Sequence, residues 1–310
     1  MADTSRPSEE IVTEIGRLKL EKNATILAHN YQIPEVQLIA DFLGDSLDLS
    51  RKAADVDSEV IIFCGVHFMA ESAAVLSPEK TVILPRDDAG CPMADMITPA
   101  SLREKKQQHP NAAVVCYVNS SAAVKAESDI CCTSANAIKV VNSLEQDEIL
   151  FVPDQNLALY TQRFTEKKII PWQGYCPTHH RVDTEDVRAM KAAHPDAVVV
   201  VHPECTPEVI DEADEVLSTS GMIRFVGETP VKEIIIGTER GLMERLAREY
   251  PGKKFYLASS KLVCPNMKKT DLEAVDAALY ALAPRITVPE DIAAGARQAL
   301  ERMLAVPRNR

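Results

Sequence analysis

Three stretches of the chain carry one pattern: Ala24-Thr25-Ile26-Leu27-Ala28-His29-Asn30-Tyr31, then Ala112-Ala113-Val114-Val115-Cys116-Tyr117-Val118-Asn119, then Ala197-Val198-Val199-Val200-Val201-His202-Pro203-Glu204. The second begins 88 positions after the first and the third 85 after the second, and the match needs no gap. Each is a short apolar run that ends in two polar side chains at i and i+2. Ten residues past the second polar position every copy has an aspartate, Asp41, Asp129 and Asp214, and five beyond that a hydroxyl, Ser46, Ser134 and Thr219. Every copy then closes on a Cys-Pro pair, Cys91-Pro92, Cys176-Pro177 and Cys264-Pro265, which lie 60, 57 and 60 residues after Tyr31, Asn119 and Glu204. A period of about 85 residues is too long for a solenoid repeat. It predicts three pseudo-repeated α/β domains, 1–92, 93–178 and 179–266, set around a pseudo-threefold axis with the active site at the centre. Helices between 267 and 310 are expected to pack back on the first domain.

Around these stretches, further apolar runs rich in β-branched residues recur at Val60–Phe63, Thr81–Leu84, Ile149–Val152, Lys168–Ile170, Ile234–Ile236 and Phe255–Leu257. They are too short and too uniformly apolar for one-sided strands, so they are expected as buried strands of short parallel sheets. Segments such as Ile11–Leu20 and Leu102–Gln108 supply the helices between them. With 310 residues, 46% of them apolar, the chain has ample material for real cores. The net charge is −12, and no basic run is longer than a pair, which argues against nucleic acid as a partner. The polar start, Met1–Glu10, has no apolar leader, and no stretch approaches the ~18 unbroken apolar residues of a membrane span. A soluble cytoplasmic protein is expected, in which the eight cysteines are core thiols or metal ligands rather than disulfides.

The functional edge of an open parallel sheet is the carboxyl end of its strands. His29 and Tyr31, Tyr117 and Asn119, and His202 and Glu204 sit on that edge, each pair on one side of its strand because side chains alternate. Polar residues at a strand end are routine in a purely structural role, but three pairs in register point to one shared opening. Ser46, Ser134 and Thr219 precede helical patterns, where each is expected as an N-cap and as part of an anion site at a helix start. Three such sites suit a ligand with several carboxylates or a phosphate. For Asp41, Asp129 and Asp214 a loop or capping role is favoured.

The Cys-Pro cysteines form the sharpest constellation. A structural zinc site draws on closely spaced pairs, and the chain has no C-x₂-C. If the three domains pack around a common axis, Cys91, Cys176 and Cys264 meet at the centre, and three thiolates suit a 4Fe-4S cluster with one iron left open. Cys64, Cys116, Cys131, Cys132 and Cys205 are expected to be core thiols. His67, His109 and His194 have no special reading, and for His179 and His180 ligand contact and surface placement stand about even.

These residues resemble the quinolinate synthase family over essentially the whole length. The carriers are His29-Asn30-Tyr31, Gly44-Asp45-Ser46-Leu47, Tyr117-Val118-Asn119, Thr133-Ser134-Ala135-Asn136, His202-Pro203-Glu204-Cys205, Ser218-Thr219-Ser220 and the three single cysteines. Leu217 departs from the glycine expected before Ser218. The resemblance implies a 4Fe-4S cluster on Cys91, Cys176 and Cys264. It also implies condensation of iminoaspartate with dihydroxyacetone phosphate to quinolinate, with release of phosphate and two waters, in NAD biosynthesis. Functional coupling to an L-aspartate oxidase would follow. On residue type and placement, Tyr31, His202 and Glu204 are the expected acid–base groups. His29, Ser46, Tyr117, Asn119, Ser134 and Thr219 are the expected substrate contacts, together with His202 and Glu204. An iron–sulfur hydro-lyase acting on another hydroxy acid, or a non-catalytic binding module, remains the rival reading of the same residues.

Overall fold

A run such as Val60-Ile61-Ile62-Phe63-Cys64 has no polar face to give to water, so it can only form a strand covered on both sides, and all five residues are buried. The computed structural model describes residues 8–309, and the polar start expected at Met1–Glu10 falls largely outside them. The first unit runs α1 (Ser8–Glu21), β1 (Ala24–His29), α2 (Pro34–Ile39), β2 (Phe42–Gly44), α3 (Ser46–Asp55), β3 (Val60–Cys64), α4 (His67–Leu76) and β4 (Thr81–Ile83). The second repeats that order as α5 (Pro99–Gln108), β5 (Ala113–Tyr117), α6 (Ala122–Ala126), β6 (Ile130–Cys132), α7 (Ala137–Ser143), β7 (Glu148–Val152), α8 (Gln155–Gln162) and β8 (Lys168–Pro171). After the short α9 (Pro177–His180) the third follows, with α10 (Thr184–Ala193), β9 (Val198–Val201), α11 (Pro207–Asp211), β10 (Glu215–Val216), α12 (Thr219–Glu228), β11 (Glu233–Gly237), α13 (Arg240–Glu249) and β12 (Lys254–Leu257). Two further helices, α14 (Leu272–Ala281) and α15 (Glu290–Ala305), complete the described chain.

Each unit is one four-stranded, all-parallel sheet, ordered β2-β1-β3-β4, β6-β5-β7-β8 and β10-β9-β11-β12. All nine strands expected from apolar runs are present. The three that the runs do not announce, β2, β6 and β10, are edge strands of two or three residues, too short to carry a periodic signal. The repeated aspartates start them. Asp41 Oδ2 accepts the N–H of Ile26 at 2.8 Å, Asp129 Oδ2 that of Val114 at 2.7 Å, and Asp214 Oδ2 that of Val199 at 2.8 Å. Each aspartate N–H in turn donates to the carbonyl of the same residue, at 2.9, 3.1 and 2.9 Å. The aspartates are therefore clips that pin each edge strand to its neighbour.

The first and second units share one large apolar core, to which α15 contributes Ala293, Ala296, Ala299, Leu300 and Met303. The third unit has its own two clusters, one on each face of its sheet. In the terminal segment, α14 packs against α1, whereas α15 lies against α6 and β6 of the second unit and α4 of the first. No helix among the described residues is long and apolar enough to cross a membrane.

Candidate functional site

In each sheet the chain leaves the first strand in one direction and the third in the other, which opens a crevice at their carboxyl ends. The three crevices face one cavity of about 170 Å³. His29 and Tyr31 reach it from the first unit, Tyr117 and Asn119 from the second, and His202 and Glu204 from the third. Ser46, Ser134 and Thr219 line it as well, and so do Cys91, Cys176 and Cys264. All twelve residues singled out in the sequence thus meet in one place.

The capping expectation needs correction. Asp45 caps α3, accepting the N–H of Asp48, and Ser218 caps α12, accepting that of Gly221. Ser46 and Thr219 are the first helical residues, one place further in. An equally good or better capping residue stands just before each of them, which frees their hydroxyls from that duty, and Thr219 Oγ1 accepts from Asn30 Nδ2 at 2.9 Å. Asn136, not Ser134, sits at the α7 cap position. Ser134 Oγ instead lies 3.2 Å from His202 Nε2. Leu217, where a glycine was expected, packs into the third unit's core, and Ser218 still caps.

The i, i+2 spacing has a local cause in two units. His29 Nδ1 accepts the N–H of Tyr31 at 3.2 Å, and His202 Nδ1 accepts that of Glu204 at 3.3 Å. Each ring closes a small turn at its strand end, and with Nδ1 an acceptor the proton of the neutral ring resides on Nε2. Burial holds both rings neutral, pushing His29 down to about 4 and His202 to about 3. Burial opposes ionisation of Glu204, but its hydrogen bonds and the histidines beside it win and hold its carboxyl below the usual range. The charges of His202 and then His179 contribute more to this than the hydrogen bonds from His179 and Tyr117.

Glu204 is the hub of a hydrogen-bonded chain through the three units. Tyr117 OH donates to Oε1 at 2.7 Å, and His179 Nδ1 lies 2.7 Å from Oε2. His179 Nε2 is 2.9 Å from Thr238 Oγ1, which is 2.6 Å from Tyr31 OH. Burial and then the Glu204 charge raise the pKa of both phenols, so Tyr31 and Tyr117 stand as proton donors. Asn119 Nδ2 reaches Glu204 Oε1 at 3.5 Å, while its buried Oδ1 has no partner among the described residues and is left for a ligand.

The eight cysteines fall into two groups. Cys64, Cys116, Cys131, Cys132 and Cys205 are buried, whereas Cys91, Cys176 and Cys264 are half-buried on the cavity. Burial raises the pKa of all three cavity thiols; Cys91 and Cys264 add to the shift of Cys176, and Cys264 to that of Cys91, as expected of close neighbours. One thiol per unit, from three loops with no competing pair, is a donor set that fits an iron–sulfur cluster with an open position. The Cys264 loop is set by Glu239, the residue after Thr238. Its buried carboxylate accepts from Cys264 N at 3.2 Å, from Gly241 N at 2.7 Å and from Lys268 Nζ at 3.0 Å. A second donor set overlaps the first, since a Cys176 sulfur, a His179 nitrogen and a Glu204 oxygen lie within 4.8 Å of one another.

Sequence reasoning placed His179 no better than evenly between ligand and surface, yet it is 1% exposed and central. Its spacing from Cys176, i to i+3 across the start of α9, would have put it on the same face. Thr238 and Glu239 were not singled out at all. They follow β11, and the only signal for them was their place just past the carboxyl end of a buried strand.

The family described as quinolinate synthetase A protein matches residues 13–305. A quinolinate synthase of Methanoregula boonei is 60% identical over 306 residues, 99% of this chain and 100% of that protein. One from Geobacter sp. strain M21 is 58% identical over 97% of this chain and 99% of its own length, and one from Dehalococcoides mccartyi strain 195 is 57% identical over 96% and 99%. Three parallel sheets around one cavity, the strand-end pairs and these full-length matches agree: the chain belongs to the quinolinate synthase family.

Proposed function

We propose that this chain condenses iminoaspartate with dihydroxyacetone phosphate to quinolinate, releasing phosphate and two waters, with a 4Fe-4S cluster held by Cys91, Cys176 and Cys264. The observation that carries this reading is the convergence, in a chain of this family, of one thiol from each unit with the buried Glu204 hub. The three units, 1–92, 93–178 and 179–266, are taken as its domains. The setting is the cytoplasm, and an L-aspartate oxidase is the expected source of the imine.

When bound, the cluster supplies an open iron that acts as a Lewis acid on a hydroxyl or carbonyl oxygen. The chain's own groups do the rest. Both substrates are anionic, and the Nε2–H groups of His29 and His202, the hydroxyls of Ser46, Ser134 and Thr219, and the starts of α3 and α12 bind and orient them. Asn119 Oδ1 accepts from an N–H or O–H of the substrate. Glu204 Oε1 and Oε2 take protons, and Tyr31 OH and Tyr117 OH return them. Thr238 and His179 connect Tyr31 to Glu204, so a proton taken at one end can be replaced from the other without water.

The test is anaerobic reconstitution with iron and sulfide, then an assay for quinolinate from freshly generated iminoaspartate and dihydroxyacetone phosphate. Quinolinate formation that depends on the cluster supports the reading. A colourless protein that binds zinc alone, or a brown one that dehydrates a hydroxy acid without consuming dihydroxyacetone phosphate, overturns it.

A further inference from the structure

The three loops that carry Ser46, Ser134 and Thr219 are tied together by the two residues Arg308 and Asn309, which follow α15. Arg308 Nη1 lies 2.6 Å from Asp45 Oδ2 and Nη2 3.1 Å from Asp45 Oδ1, and Nη2 also pairs with Asp48. Asp48 Oδ2 accepts from Ser220 Oγ at 2.7 Å, which joins the start of α3 to the start of α12. Asn309 N donates to the carbonyl of Ala135 at 2.6 Å, and its Oδ1 accepts the N–H of Lys139 at 3.2 Å, the third residue of α7. One short strap thus touches a helix start in the first and second units and, through Asp48, one in the third.

Charge gives the strap a purpose beyond holding loops. Asp45 is 5% exposed, lines the main cavity and caps α3, so a carboxylate occupies the positive helix end beside Ser46. Left unpaired, that carboxylate and Asp48 would repel an anion from the place where Ser46 meets it. The Arg308 fork closes on both. Burial works against the Asp45 charge, and the hydrogen bond and charge of Arg308 more than offset it, so the carboxyl sits below its ordinary pKa. Arg308 itself lines a small adjoining cavity that shares Ser134 with the main one, rather than the main cavity, so it acts through its neighbours.

We propose that Arg308 is a positioning residue for substrate binding: it pairs with the Asp45 and Asp48 carboxylates, offsetting one of their two charges, and holds the three loops in register, so that the site accepts anionic ligands. This rests on the functional reading above, in which Ser46 and its helix start take an anionic group.

The experiment is calorimetric titration of quinolinate, a dicarboxylate, into anaerobically purified holoenzyme, for the wild type, R308Q and the double variant D45N/R308Q. Thermal midpoint and cluster absorbance confirm that each variant is folded and loaded. R308Q is expected to weaken quinolinate about tenfold, the scale of a charge placed against a partly buried helix start. The double variant is expected to recover most of that loss, because asparagine still caps α3 without the charge. It leaves no buried unpaired carboxylate at the cap, so it carries the test alone if R308Q fails to fold. Equal affinity in the wild type and R308Q overturns the proposal. A double variant as weak as or weaker than R308Q, or tenfold below the wild type where R308Q does not fold, also overturns it, since a strap that only held loops would behave in that way. A wild-type holoenzyme that does not bind quinolinate overturns the functional reading first and this proposal with it.

Discussion

The first strand of every unit has two differently built stations three residues apart. At the upstream one, Ile26, Val114 and Val199 are each clipped by an aspartate in the same two-bond geometry. At the downstream one the residues differ: histidine and tyrosine, tyrosine and asparagine, histidine and glutamate. The clip does one job three times, pinning a short edge strand to its neighbour, so one residue type serves in all copies. The strand ends meet in one cavity, where three copies of a single side chain would be redundant. They have diverged, and in the proposed function they serve as anion donors, a proton hub and a ligand acceptor. Repeated identity marks the fold here, and repeated position with changed identity marks the site.

The Cys-Pro loops are the exception, being identical and also at the site, and they give the largest expected effect. A cluster bound equally by three units needs the same donor from each. Changing Cys91, Cys176 or Cys264 singly to serine should abolish cluster absorbance and quinolinate formation, while Cys64→Ser retains both. Loss of the cluster in Cys64→Ser with retention in Cys176→Ser would show that identity at these loops reflects the fold after all. Next in size is Tyr31→Phe, which removes a single hydroxyl from the chain that ends at Glu204. An intact cluster with kcat reduced by about 10²–10⁴, the usual worth of a positioned acid or base, is expected in single-turnover measurements. A near-normal rate would reduce Tyr31 to a packing residue.

The two stations should also differ in what they do to stability. His29 and His202 are buried neutral, with folded pKa values of about 4 and about 3 against an ordinary 6.5. Between those values and 6.5 the unfolded chain binds protons that the folded chain does not, so stability rises with pH. It is therefore complete above about pH 6.5 and lost as the pH falls toward 4. For His29 the full loss is on the order of 3 kcal/mol. Chemical denaturation at a series of pH values should show this slope in the wild type and a shallower one in His29→Gln. Equal slopes would mean that the ring is not held neutral.

How much of this was legible follows from the same contrast. The nine strands that lie in apolar runs and the three-fold repeat are visible because apolar runs and fixed offsets are properties of the chain itself. The edge strands β2, β6 and β10 are not, because two or three residues held by a side-chain clip carry no periodicity. The twelve expected cavity residues were found because each stands at an equivalent position of a repeat. Thr238 and Glu239 escaped because their roles, bridging Tyr31 to His179 and fixing the Cys264 loop, are tertiary contacts across units. The N-cap assignment failed at Ser46 and Thr219 for a local reason: either of two adjacent polar residues can cap, and spacing alone does not say which.

The smallest effect belongs to the clips, and it tests the comparison most directly. Asp214→Ala removes the acceptor for the Val199 N–H, and that group can still find water at an exposed edge, so the cost should be about 1 kcal/mol, the net worth of an ordinary hydrogen bond. Asp129→Ala should match it. Asp41→Ala should cost slightly more, because Asp41 also pairs with Lys19 at 2.6 Å. Denaturation midpoints read the loss. If the clip station serves the fold alone, kcat and KM stay at wild-type values in all three variants, since the clipped residues lie three positions before the cavity and face the edge strand. A fall in kcat for Asp214→Ala without loss of cluster would mean that β10, and the Ser218–Thr219 turn that follows it, depends on the clip for its placement. The division between a repeated fold station and a divergent site station would then hold in the first two units and fail in the third.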